Sequence, residues 1–150
     1  MQTKKAPTMT LTPDTLVGAW TLVDWHIEMA DGRKTYPFGR DATGLIVYTA
    51  SGWMSATLSQ HTRTPLSAAS VRQADLASRA HAMSEYLAYT ARWELDGNNV
   101  VHTVILSLNA ALIGTRQVRV ASFAGPHLLL AAEESDGVTR RVHRITWQRA

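Results

Sequence analysis

Turns constrain this chain more than anything else in it. From residue 16 to residue 149, short runs rich in Val, Ile, Thr and aromatic residues are cut every eight to twelve positions or so by glycine-bearing turns. "LVGAWTLVDWHIE", residues 16–28, leads into a turn at Asp31-Gly32. "KTYPFG" is a short extended piece interrupted by Pro37, which a central strand would not tolerate. "TGLIVYTASGWMSATLS" reads as a hairpin with arms at 44–49 and 53–59 around Ala50-Ser51-Gly52. After residue 88 the pattern resumes: "YTARWEL", "DGNN", "VVHTVILSL", then "GTRQVRVASF", "AGP", "HLLLAAEE", and "SDGV" before "TRRVHRITWQR".

Eight or nine strands with hairpin-length connections form an antiparallel meander. The expected fold is all-β, an up-and-down barrel, because closure removes exposed strand edges; a β-sandwich is the alternative. Eight strands leave an interior that holds packed side chains or one small ligand. One segment breaks the pattern. "SAASVRQADLASRAHAMSEYL" has no Gly or Pro, and Val71, Leu76, Ala80, Met83 and Leu87 make a rough helical stripe. The spacing predicts a single helical insertion over about residues 70–85, capped by Ser67 or Ser70.

At 150 residues the chain is the size of one domain, and 45% apolar content argues for a globular fold. Only residues 1–12, polar and without periodicity, read as a disordered tail ahead of a single domain at 13–150. Lys4 and Lys5 are not followed by the apolar stretch of a signal peptide, and no run approaches membrane-span length. A soluble, cytoplasmic protein is therefore expected, with no membrane partner. The absence of Cys excludes disulfides and thiolate chemistry. The formal charge of +3 is partly concentrated in Arg140, Arg141, Arg144 and Arg149, which alternate along one strand rather than forming a nucleic-acid footprint. No nucleic-acid partner is expected.

The segments "LVGAWTLVD", "YPFGRDATGLIVYTASGWMSA", "YLAYTARWEL", "VVHTVILSL", "GTRQVR" and the terminal "ITWQRA" resemble, in order, the lipocalin-like domain of small bacterial and fungal proteins, one of the calycin-type barrels. The resemblance spans about residues 14–150, and "YPFGRDATGLIVYTASGWMSA" is its most specific part. It implies that Trp20 of the Gly-x-Trp triplet packs across the closed end of the barrel, covered by Arg149 from the last strand, whose head reaches backbone carbonyls. It also implies a small, mostly apolar organic ligand, although some such barrels are cyclases, isomerases or lyases. The pattern departs from the family after Ser107. Members carry an aromatic residue and a Pro-Asn pair there, and this chain has "LNAALIG". A loop at that place would reshape the pocket mouth.

Candidate chemistry starts on the first strand. If alternation is unbroken and Trp20 points inward, then Asp24, His26 and Glu28 share its face and offer an acid–base group near the mouth. A bulge would turn them to solvent instead. His102 lies among Val100, Val104 and Leu106, as a pocket residue or a satisfied core histidine. Tyr48, Trp53, Tyr86, Tyr89 and Trp93 are candidate ligand contacts, or simply barrel filling. Arg119 shares a face with Thr115, Gln117 and Ala121; if that face looks inward, it needs Asp24, Glu28, Glu94 or an acidic substrate as partner. The chain lacks a nucleophile elbow, a Walker loop and a dinucleotide fingerprint. Its six histidines show no metal-ligand spacing, so neither a metal nor a cofactor is expected; His143 is the one position for a haem test.

The expectation is a barrel that binds a small hydrophobic or aromatic molecule. The alternative is a cofactor-independent isomerase, cyclase or lyase of secondary or xenobiotic metabolism. In it His26 or His102 moves the proton, Asp24 or Glu28 orients it, and Tyr48 or Arg119 steadies oxyanion charge. The sequence leaves the oligomeric state open.

Overall fold

Nine strands succeed one another along the chain in the computed structural model, which describes residue 7 and residues 9–150. They are β1 (Gly18–Met29), β2 (Lys34–Thr35), β3 (Thr43–Tyr48), β4 (Trp53–Ser59), β5 (Tyr86–Asp96), β6 (Asn99–Ser107), β7 (Arg116–Ala124), β8 (His127–Ser135) and β9 (Arg140–Arg149). Each pairs antiparallel with its neighbour, and β1 also pairs with β9 from Trp20↔Arg149 to Met29↔Arg141. That last pairing closes eight strands into a barrel. The two-residue β2 stays outside the ring and pairs only with the end of β1. The sandwich alternative is excluded by this closure.

The closed end is built from local sequence. Thr12 caps the short helix α1 (Pro13–Leu16) through a reciprocal box with Thr15, and Pro13 fits the first helical position. The helix seats a fully buried Leu16 under the barrel, and its Leu16 carbonyl accepts from Trp20 Nε1 at 2.9 Å. Trp20 is 0% exposed and packs on Phe123. The Arg149 guanidinium lies 4.3 Å over its ring and donates to the carbonyls of Val17 (3.0 Å) and Thr15 (2.8 Å). Gly18 is needed here: its φ is +133°, and a Cβ would sit 2.7 Å from Arg149 Nη1. The expected Gly-x-Trp plug and its arginine cover are both present. Residues 1–6 and 8, most of the expected tail, lie outside the described residues; Met9 and Leu11 pack against the core.

A bulge decides the rest of β1. Leu22 pairs with Trp147, yet Asp24 pairs with Thr146, so Val23 is the additional residue. Two residues oppose one, and the in–out alternation reverses beyond that point. Trp20 and Trp25 therefore both face inward, at 0% and 8% exposure, while Val23 is exposed.

The helical insertion is shorter than its pattern predicts. Helix α2 covers Leu76–Ser84, with the Asp75 carboxylate accepting from Ser78 N at 2.7 Å. Neither Ser67 nor Ser70 caps it. Ser67 Oγ accepts from Asp75 N, and Ser70 Oγ accepts from Arg72 N within a turn. No residue of α2 is buried, so the stripe through Leu76 and Met83 has no core to face.

Candidate functional site

The barrel encloses a cavity of about 390 Å³ that opens at the end opposite Trp20. Ile46, Ala56, Leu58, Leu87, Leu130 and Ile145 supply aliphatic wall, and Trp25 and Trp147 supply aromatic wall. Apart from Trp25, which the bulge turns inward on β1, and Leu87 on β5, these positions come from plain alternation on β3, β4, β8 and β9, where every second side chain points inward. The polar lining divides into two groups. One is deep, from β5, β6 and β7; the other is at the mouth, from β8 and β9.

The deep group centres on His102, only 1% exposed. Tyr48 Oη lies 2.9 Å from its Nε2, and Tyr89 Oη lies 2.8 Å from its Nδ1. The three strands hold this row in register, since His102 pairs across with Trp93 on one side and Gln117 on the other. Burial, and then the charge of Arg119, pushes the His102 pKa down to about 3, so the imidazole is neutral at neutral pH. Burial also pushes both tyrosines above their ordinary value, Tyr48 well above, so both keep their protons. Tyr48 is 1% exposed and lies beneath the cavity; Tyr89 and His102 line it.

Arg119 and Gln117 complete the deep group. Arg119 is half-buried and lines the cavity. Its Nη2 donates to Gln117 Oε1 at 3.5 Å and its Nη1 to the Val118 carbonyl at 3.2 Å. Among the described residues Arg119 forms no ion pair. The three acids expected as partners are engaged elsewhere: Asp24 with His26, Glu28 with Arg144, and Glu94 with Arg116.

At the mouth, His143 Nδ1 accepts from Trp25 Nε1 at 3.3 Å. That contact leaves the imidazole proton on Nε2, which donates to Glu134 at 3.3 Å. Leu112, in the 3₁₀ turn Ala110–Leu112, also lines the cavity. The loop that departs from the family pattern thus contributes to the mouth.

Several expected site residues lie elsewhere. Asp24, His26 and Glu28 stand on the outer surface of the barrel, because the Val23 bulge reverses their face. There His26 Nδ1 and Asp24 Oδ2 are 2.5 Å apart under the Tyr36 ring, and Arg144 binds Glu28 at 2.6 Å. Trp53 is also outside, 45% exposed, with the Arg92 guanidinium 4.4 Å over its ring. Tyr86 lines a separate open groove beneath α2, against Arg63, not the cavity. Trp93 is on the inner face but below the cavity, where it packs edge-on against Tyr48 and donates to the Thr49 carbonyl at 2.9 Å. Tyr48, Tyr89, His102 and Arg119 are brought together. Trp25, Gln117, Glu134 and Trp147 join the lining without having been singled out; for Trp147, its place two residues ahead of Arg149 on an unbroken strand is the signal that would have found it.

Among the described residues no group of three or more metal-ligating side chains occurs, and no helix is long and apolar enough to cross a membrane. No curated protein matches the chain. Among solved structures, a lipocalin-like protein from Bacteroides uniformis is similar at 14% identity and a TM-score of 0.45, over 87% of this chain and 97% of that one. The model of the lipocalin-like domain family matches residues 17–150, and the chain belongs to that family.

Proposed function

We propose that the protein binds a small hydrophobic or aromatic organic molecule inside its barrel. The observation that carries this reading is the enclosed cavity, about 390 Å³, with mostly apolar walls and a few converging polar groups at its deep end. Ligand sites commonly fall between about 300 and 1,000 Å³ with that kind of lining. Nothing at the deep end supports the acid–base alternative. His26, Asp24 and Glu28 are outside the barrel, and a histidine whose pKa is about 3 is a weak base at neutral pH.

The test uses the protein's own indoles. Trp25 and Trp147 line the cavity, so a bound neutral probe such as N-phenyl-1-naphthylamine should change their emission. Ala132→Trp would fill the cavity from its wall. The variant should keep the circular dichroism of the parent and lose probe affinity by about tenfold or more, roughly 1.4 kcal/mol. Equal affinity in the two proteins would move the binding site out of the barrel.

A further inference from the structure

The direction of the hydrogen bonds at the deep end can be worked out from burial. A neutral imidazole has one N–H and one acceptor nitrogen, so His102 donates to one tyrosine and accepts from the other. Among the described residues Tyr48 has no other side-chain or backbone partner for its hydroxyl, and it is sealed from solvent. If it accepted from His102, its own proton would be buried and unpaired, which is unfavourable. Tyr48 therefore donates to Nε2. The imidazole proton is then on Nδ1 and is donated to Tyr89 Oη. Tyr89 lines the cavity with its own O–H still undonated.

Arg119 lines the same cavity, near enough for its charge to act on Tyr89, and among the described residues it pairs with no carboxylate. Gln117 does not supply a competing anion; its amide donates to Thr115 Oγ1 and its oxygen already faces Arg119. The carboxylates in the lining, Glu133 and Glu134, are at the mouth and paired with Arg140 and His143. The deep end thus presents donors and a positive charge, matched among the described residues by neutral acceptors only and by no anion. A half-buried unpaired cation is unfavourable, and an incoming anion would remove that penalty while gaining charge-assisted hydrogen bonds.

We infer that the ligand carries an anionic oxygen group, a carboxylate or an acidic enol or phenol, which enters the barrel first and is held by Arg119 and the Tyr89 hydroxyl while its apolar body fills the outer cavity. This rests on the reading of the barrel as a binding site. Tyr48 and His102 are positioning residues in it; they fix the direction in which the Tyr89 proton points.

A matched pair of probes tests it: naphthalene-2-carboxylate and its methyl ester, titrated by calorimetry at pH 7.5. The parent protein should prefer the acid by about tenfold or more. Arg119→Gln should abolish that preference by weakening the acid and leaving the ester unchanged. Arg119→Lys should retain part of it, and Tyr89→Phe should weaken the acid by a smaller factor. If the ester binds as tightly as the acid in the parent, the anion inference fails while the cavity reading stands. If neither binds, the cavity reading fails and the inference goes with it. The acid-to-ester ratio in the parent and in Arg119→Lys decides the matter even if Arg119→Gln does not fold.

Discussion

Two arginines on neighbouring parts of the same barrel are treated in opposite ways. Arg149, at the closed end, stacks on Trp20 and donates to two backbone carbonyls. Arg119, inside the cavity, reaches one amide oxygen at the limit of hydrogen-bond distance and one adjacent carbonyl, with no carboxylate. The first arrangement is self-sufficient, since the Trp20 indole and the Arg149 guanidinium both find their partners within the chain. The second is incomplete. The difference separates stability from binding: the closed end holds the barrel shut, and the deep cavity retains interactions that only another molecule can make.

The comparison can be broken most forcefully at the plug. Trp20→Ala removes the largest side chain of the closed end and should cost roughly 3–5 kcal/mol in chemical denaturation, as large truncations in a core do. A cost below about 1 kcal/mol would mean that the closed end is not where the barrel is held.

An intermediate effect concerns pH. The His102 pKa is lowered in the fold from 6.5 to about 3, so between those values the unfolded chain binds more protons than the folded one. Stability is then full above about pH 6.5 and falls as the solution is acidified, with a slope approaching 1.4 kcal/mol per pH unit. Glu28, Asp31, Glu85, Glu133 and Asp136, all held below their ordinary values, add to the decline only as pH falls towards 4 and below. His102→Gln, which cannot titrate, should flatten the unfolding free energy between pH 6.5 and 4.5. An unchanged slope would show that the histidine is not the group being protonated.

The smallest effect is expected on the outer wall. Asp24→Asn and His26→Gln should each leave probe affinity within about twofold and change stability by no more than about 1 kcal/mol, as for partly exposed pairs. A large loss of affinity in either would place the outer dyad in contact with the ligand path after all.

How much of this was legible in the sequence depends on whether alternation was interrupted. On β7 it was not: Gln117, Arg119 and Ala121 fall on one face in the sequence and on the inner face in the barrel. The same holds for Val100, His102 and Val104 on β6, but a second bulge at Ile105 turns Leu106, expected on that face, outward to 63% exposure. On β1 one additional residue reverses the pattern, and nothing in "TLVDWHIE" announces that Val23 is the residue to be left out. Helix α2 was legible as a helix but not in its start, because Asp and Ser cap about equally well and the helix begins after Asp75, with Ser67 and Ser70 bonded within the preceding turns. Trp53 and Tyr86 show a further limit: an aromatic ring fits equally well over a solvent-side arginine or inside a cavity, and residue type does not distinguish the two.

The bulge at Val23 also bears on how relatives of this chain are compared. Beyond it, every position on β1 counts with the opposite parity, so an alignment that slides by a single residue assigns the inward place of Trp25 to Asp24 or His26. Loss of Val23 would only straighten the strand and leave Trp25 facing inward; keeping Val23 but pairing it regularly, without the bulge, is what would turn Asp24, His26 and Glu28 into the barrel. The interior chemistry of this strand is therefore set by whether the bulge forms and not by residue type alone.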